Sequence, residues 1–232
     1  MIDLYDNYES FGLSRLPGLT TAFRNACGQA AALTLVSRTL SAYVRATYRT
    51  TCPMDVVVNG IRKDLFHARD RSLARASLGL PQEAPIIGTA GALTADRGIS
   101  DLFDAFKRLA ETDDGLWLAH AGPTDGSFNP GQHPRIVDFG MLAQQGVPEL
   151  LAGLDVGVVC NRDSAFGRYC FPLKLHEMLA MRIPVVAAAL GDVGSLLESH
   201  QRSLYVPGDV AMLAERIGMQ LSAPSIADIA SP

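Results

Sequence analysis

Short unbroken apolar runs alternate with stretches of helical period through most of this chain. Residues 86–90 (IIGTA), 116–121 (LWLAHA), 156–159 (VGVV) and 184–188 (PVVAA) are bounded by turn residues and show no polar alternation. Such runs read as strands buried on both faces, the pattern of a parallel sheet. Residues 136–139 and 203–206 read as shorter strands. Between them the apolar positions recur at helical spacing over 99–110, 148–152, 172–180, 195–199 and 210–221, and a short helix over 72–78 precedes the first run. Strands alternating with helices predict an α/β fold with a doubly wound parallel sheet, Rossmann-like in architecture.

The first fifty residues are less regular. Residues 2–6 (IDLYD) read as the end of a strand, and 7–19 as irregular, with Gly12, Pro17 and Gly18. From 20 to 49 the pattern is helical, although Leu33-Thr34-Leu35-Val36 also reads as a short strand. In that second version Ser37 caps a helix over 38–47. Pro53 breaks the pattern, and Val56-Val57-Val58 reads as a strand ending in the Asn59-Gly60 turn. Residues 1–50 are expected to have no sheet of their own. They are expected to be a partial N-terminal remnant of a second domain with linker helices, or a scaffold packed against the first, with 51–232 as the complete unit. The tail from 222 is weakly patterned and expected to fray.

Composition narrows the function classes. The chain has 232 residues, 48% hydrophobic and 19% charged, with net charge −4 and a pI near 5.7. A sizeable core is expected, and no nucleic-acid surface. No run of 18 apolar residues predicts a membrane span. The acidic start, MIDLYDNYES, lacks the apolar stretch of a signal peptide, so a cytoplasmic protein is expected. Cys27, Cys52, Cys160 and Cys170 have no metal-type spacing, so reduced thiols are expected.

Two loops and one helix carry candidate chemistry. Residues 89–98 (TAGALTADRG) follow a strand and precede a helix, where ligands of open α/β sheets bind. Gly91 permits close backbone approach, and Arg97 can hold a phosphate through two bonds. The spacing is neither G-x-G-x-x-G nor a P-loop. The plain alternative is an ordinary loop with a solvated arginine. In 171–180 (FPLKLHEMLA), Lys174 and Glu177 lie on one helical face. Their plain alternative is a surface ion pair. Gly191-Asp192-Val193-Gly194 reads as a glycine-rich turn before another helix, whose N–H groups can hold an anion. Arg97, Lys174 and the Gly191 turn at one sheet edge make a consistent diphosphate site. Asp163, Ser164 and Arg168 read as loop residues, His120 as structural, His176 as a helix-surface residue, and Asp155 as a turn or cap. No metal cluster and no G-x-S-x-G are present.

The ordered motifs Asn59-Gly60, Gly91-Ala92-Leu93 with Arg97-Gly98, Ala121-Gly122-Pro123, Phe139-Gly140, Leu154-Asp155-Val156-Gly157-Val158, the 172–180 segment PLKLHEMLA, Pro184-Val185-Val186-Ala187 and Pro207-Gly208-Asp209 resemble the donor-binding C-terminal half of GT-B, group-1, retaining glycosyltransferases. The resemblance covers residues 54–221. It implies that Gly91, Arg97, Lys174, Gly191, Asp192 and Val193 bind the donor diphosphate and that Glu177 binds the nucleotide ribose. It implies no metal and no separate cofactor. The partners it implies are a nucleotide-sugar donor and a glycan or lipid-linked acceptor, with peripheral membrane association or a complementing acceptor domain. Two positions depart from the pattern: Ala92 stands where relatives carry arginine, and Arg97 where they carry lysine. Tyr169, eight residues before Glu177, replaces the acid that contacts the sugar in relatives. No catalytic residue is assigned. Two other readings of the chain are a non-catalytic nucleotide-sugar-binding module and a nucleotide-sugar epimerase.

Overall fold

The computed structural model describes residues 1–10, 15–129 and 131–229. Gly12 and the last three residues of the tail, named above, lie outside them. Six parallel strands form the main sheet: β4 (Ile86–Ala90), β5 (Trp117–Ala121), β6 (Ile136–Asp138), β7 (Val156–Val159), β8 (Val185–Ala188) and β9 (Leu204–Tyr205), in the order β6-β5-β4-β7-β8-β9. Every residue of β4, β7 and β8 is buried, as unbroken apolar runs require. Helices α4 (Ile99–Ala110) and α9 (Val210–Ser222) cover one face through Phe103, Phe106, Leu213 and Ile217. Helices α3 (Arg71–Leu78), α5 (Val147–Ala152), α7 (Leu173–Ala180) and α8 (Gly191–Leu196) supply Ala74, Leu150, Leu175, Met178 and Val193 to the other. The chain runs outward from β4 to β6, then returns to β7 on the opposite side of β4. That reversal opens a crevice beyond the carboxyl ends of β4 and β7, the usual ligand seat in such sheets.

The N-terminal residues depart from expectation. They do have a sheet: β1 (Ile2–Leu4), β2 (Leu33–Leu35) and β3 (Met54–Val56) pair in parallel in that order. The strand expected at 56–58 begins two residues earlier and pairs with β2 rather than with the main sheet. The stretch 20–49 divides into α1 (Leu19–Gly28), β2 and α2 (Arg38–Tyr48), the second version above, with the Ser37 hydroxyl accepting from the Leu40 N–H at 3.1 Å. One face of this sheet packs Leu4, Leu33 and Leu35 against Leu40, Val44 and Tyr48. The other carries Asp3, Thr34 and Asp55 side by side in register. A parallel sheet with one polar face needs helices on its apolar side only, which is why three short strands suffice.

Three other expectations are corrected. The helix placed at 195–199 starts at Gly191, so the expected turn is its first turn. The tail does not fray over its described part. The fully buried Gln220 accepts from the Ser225 N–H at 2.8 Å, and Ala227 is buried in the core. Asp155 is more than a turn residue. It binds the Arg75 guanidinium at 2.6 Å, the Ile86 N–H at 2.7 Å, and Arg71. Arg75 is only 2% exposed and also donates to the carbonyls of Gly153, Gln82 and Ala84. This pair ties α3 to the amino ends of β4 and β7, opposite the crevice.

Candidate functional site: a crevice at the switch point

Gly91 ends β4 with φ +117°, a conformation in which a side chain is strained. Gly122 follows the neighbouring β5 with φ +145°, and a Cβ there would lie 1.9 Å from the Gly91 carbonyl oxygen. The two glycines let adjacent βα loops pass in contact. Gly122→Ala is therefore expected to cost more than about 2 kcal/mol in urea unfolding. A loss below 0.5 kcal/mol, roughly surface level, would show that the loops separate freely.

Beyond Gly91 lies a cavity of about 390 Å³ lined by Arg97, Lys174 and Glu177. Four of the expected site residues are thus brought together. The Lys174 ammonium crosses directly over Gly91, 3.2 Å from where a Cβ would stand. The Arg97 guanidinium rests on the Phe166 ring, 4.5 Å from its centroid, which fixes its orientation. Neither cation enters a salt bridge among the described residues, so the plain alternative of a Lys174–Glu177 ion pair is not what the structure shows. Burial and the nearby Arg97 charge push the Lys174 pKa down to about 8. Burial raises the Glu177 pKa, with Lys174 opposing. Two adjacent cations that form no salt bridge can seat an anion between them, although the same cavity is also lined by the carboxylates of Glu177 and Asp6.

Gly191, Asp192 and Val193 do not join this cavity. The Asp192 carboxylate caps α2: it accepts from the N–H groups of Arg38 and Thr39 at 2.8 and 2.9 Å and from the Thr39 hydroxyl at 2.7 Å. Gly191 abuts the Arg168 carbonyl, and Val193 is buried in the core. Asp192 and Val193 instead line a second cavity of about 550 Å³ with Arg38 and His176. An acid at a helix N-terminus is a favourable pairing, and it fastens the N-terminal unit to the main one. The Ser37 hydroxyl strengthens the clasp by donating to the Tyr169 carbonyl at 2.7 Å.

Other residues fall where the sequence did not put them. His176 is buried rather than on the helix surface, stacked on Phe171 at 4.6 Å, and burial lowers its pKa. His120 is structural as expected, buried against Phe103 with Nδ1 3.4 Å from Asp138. Asp163 is paired with Arg168 at the surface. Ser164 caps a short helix, α6 (Ala165–Tyr169), where the sequence suggested only a loop, and this helix presents Phe166 to Arg97. Asn161 and Cys170 also line the crevice, and burial pushes the Cys170 thiol up to about 11. Tyr5, Asp6 and Val36 close the crevice from the N-terminal unit, with Asn59 from the segment after β3. No periodicity signalled that wall. The cysteines are free thiols. Among the described residues, no group of three or more His, Cys, Asp and Glu is placed to hold a metal, and no helix is long and apolar enough to cross a membrane.

A doubly wound six-stranded parallel sheet with a crevice at its switch point makes a Rossmann-like domain of the GT-B type. The family described as "Glycosyl transferases group 1" matches residues 84–222, and the chain belongs to that family. It is similar to a Bacillus subtilis (strain 168) protein provisionally named teichuronic acid biosynthesis glycosyltransferase TuaC. Identity is 25% over 233 residues, covering 98% of this chain and 55% of the relative. The fold matches sucrose-phosphate synthase from Thermosynechococcus elongatus, with a TM-score of 0.76 and 21% identity over 94% of this chain and 56% of that one. It also matches Anabaena Alr3699/HepE in complex with UDP-glucose, with a TM-score of 0.75 and 20% identity over 95% of this chain and 62% of that one. The chain spans about half the length of the curated relatives it matches.

Proposed function

We propose that this chain supplies the donor half of a glycosyltransferase, moving a hexose from a nucleotide-diphosphate sugar to a glycan or lipid-linked acceptor with retention. The observation that carries the reading is the pair Arg97 and Lys174, adjacent, partly desolvated and without carboxylate partners. A diphosphate completes their charge. As the sugar–oxygen bond breaks, the leaving diphosphate gains negative charge, and these cations stabilise it where it develops. They supply the role a divalent ion would otherwise fill, so the scheme uses no metal or other cofactor. Glu177, at the edge of the same crevice, accepts from the ribose hydroxyls. HepE, crystallised with UDP-glucose, shares this fold, which supports a nucleotide-sugar donor here. The setting proposed is the cytoplasm, with peripheral membrane association where the acceptor is lipid-linked. Residues 1–50 are read as part of an acceptor domain and 51–232 as the donor domain, although β3 ties the start of the latter to the small sheet.

A second reading is favoured by the small N-terminal wall, which among the described residues consists of Tyr5 and Asp6 after β1, Val36 after β2 and Asn59 after β3. On that reading the chain binds nucleotide-sugar and transfers it only with a complementing acceptor domain. Isothermal titration with UDP, GDP and ADP tests both. At least one should bind below millimolar, and Arg97→Ala and Glu177→Ala should each weaken it about 10-fold or more. If none binds at millimolar concentration, the donor-site reading fails. Binding without hydrolysis or transfer selects the module.

A further inference from the structure

The crevice has one feature that nucleotide binding does not use. Its cations and Glu177 lie on the main unit, yet a second carboxylate faces them from the N-terminal unit. Asp6 follows β1 and lines the same cavity as Arg97, Lys174 and Glu177. It is partly buried, and burial raises its pKa while the Arg97 charge opposes that rise. One carboxylate oxygen accepts from the Asn7 N–H at 2.8 Å, and the other has no hydrogen-bond partner among the described residues.

The remaining acids are committed or out of reach. Asp163 is exposed and paired with Arg168. Asp192 caps α2. Tyr169 precedes α7 on the main unit. Its ring packs on Tyr43 at 4.8 Å, its carbonyl accepts from Ser37, and it does not line the cavity. Among the described residues the cavity is therefore lined by two carboxylates, one on each wall. Glu177 lies on the helix that carries Lys174. Asp6 lies across the gap, beside the Cys170 thiol, whose pKa it helps to raise.

A carboxylate repels a diphosphate and attracts hydroxyl donors. A free acceptor oxygen facing an anion site is thus suited to the uncharged, hydroxyl-rich end of the ligand. We propose that Asp6 is a specificity residue that receives the hydroxyls of the transferred sugar from the N-terminal wall. The proposal rests on the nucleotide-sugar reading of the crevice. It sets the ligand's direction, with ribose toward Glu177, diphosphate on Arg97 and Lys174, and sugar toward Asp6. It also means that the sugar is recognised only while the two units are clasped together.

The test is calorimetric titration of the chain with UDP and with UDP-glucose, comparing wild type, Asp6→Ala and Asp6→Asn. Asp6→Ala should weaken UDP-glucose at least 10-fold and leave UDP unchanged or slightly tighter, because a repelling charge is gone. Asp6→Asn, which keeps an acceptor oxygen, should recover part of the loss for UDP-glucose. A structural role would weaken both ligands together, and that outcome overturns the proposal, as does an unchanged ratio of the two affinities. Absence of UDP binding by wild type would instead overturn the donor reading for this nucleotide, and Asp6's role with it.

Discussion

Lys174→Ala weakens nucleoside-diphosphate binding by about 10- to 100-fold at pH 7, the loss expected for one charge-assisted contact, while making the unliganded protein more stable. Both effects have one cause. Burial and Arg97 hold the Lys174 pKa at about 8, below its ordinary 10.5. The folded state thus resists a proton that the unfolded chain accepts. Between pH 8 and 10.5 the unfolded state binds more protons, so stability rises with pH across that window. Below pH 8 the full penalty is present, about 3 kcal/mol. The alanine variant escapes it, and its advantage should shrink to nothing as pH climbs from 8 to 10.5. A bound diphosphate reverses the balance by favouring the charged amine. Binding near pH 8.5 should therefore take up a proton, and wild-type affinity should fall as pH rises above 8. Calorimetry in buffers of different ionisation heat reads the uptake directly. Zero uptake together with pH-independent affinity would mean that Lys174 does not meet the anion.

Asp155→Ala should be the most damaging change away from the crevice, lowering stability by about 3–5 kcal/mol in urea unfolding because it strips a buried cation of its partner. Arg75 is 2% exposed, so water cannot replace the lost carboxylate. The same substitution leaves the Ile86 N–H unpaired where β4 begins. Arg71 shares Asp155 but has a side chain 58% exposed, so Arg71→Ala should cost less than about 1 kcal/mol. The contrast between the two variants is the informative quantity. Similar small losses would show that the carbonyls of Gly153, Gln82 and Ala84 hold Arg75 by themselves. Nucleotide affinity should survive in both, since this pair lies at the opposite end of the sheet.

The main sheet was legible because its strands are buried on both faces, which writes apolar runs directly into the sequence. Gly91, Arg97, Lys174 and Glu177 were legible for a related reason. Gly91 and Arg97 lie in the loop after β4, and Lys174 and Glu177 on α7, in the connection that leaves β7, so strand order brings them to one edge. What escaped depends on contacts between distant segments. Asp192 lies 153 residues from the Thr39 N–H that it binds, and no local pattern marks that pairing. Asp155 meets Arg75 across 80 residues. His176 looked superficial because its helix position is amphipathic, but the Phe171 ring folds back over it. β1, β2 and β3 were each legible as short strands, but nothing local pairs them across the helices α1 and α2 that separate them, so the small sheet, and with it the place of Asp6 in the crevice, was missed.

The clasp between α2 and the main unit gives the crevice walls of unequal stiffness. One wall is anchored in the two large cores beneath six strands. The other stands on eight buried residues around Leu35 and Val44, held in place by Ser37, Thr39 and Asp192. Segments with small cores open at lower free energy than the molecule as a whole. The small sheet can therefore detach and reseat while the cation-bearing wall stays folded. A ligand reaching both walls would be released at the pace of that local opening, so the residence time of the sugar end is set by the clasp rather than by the phosphate contacts.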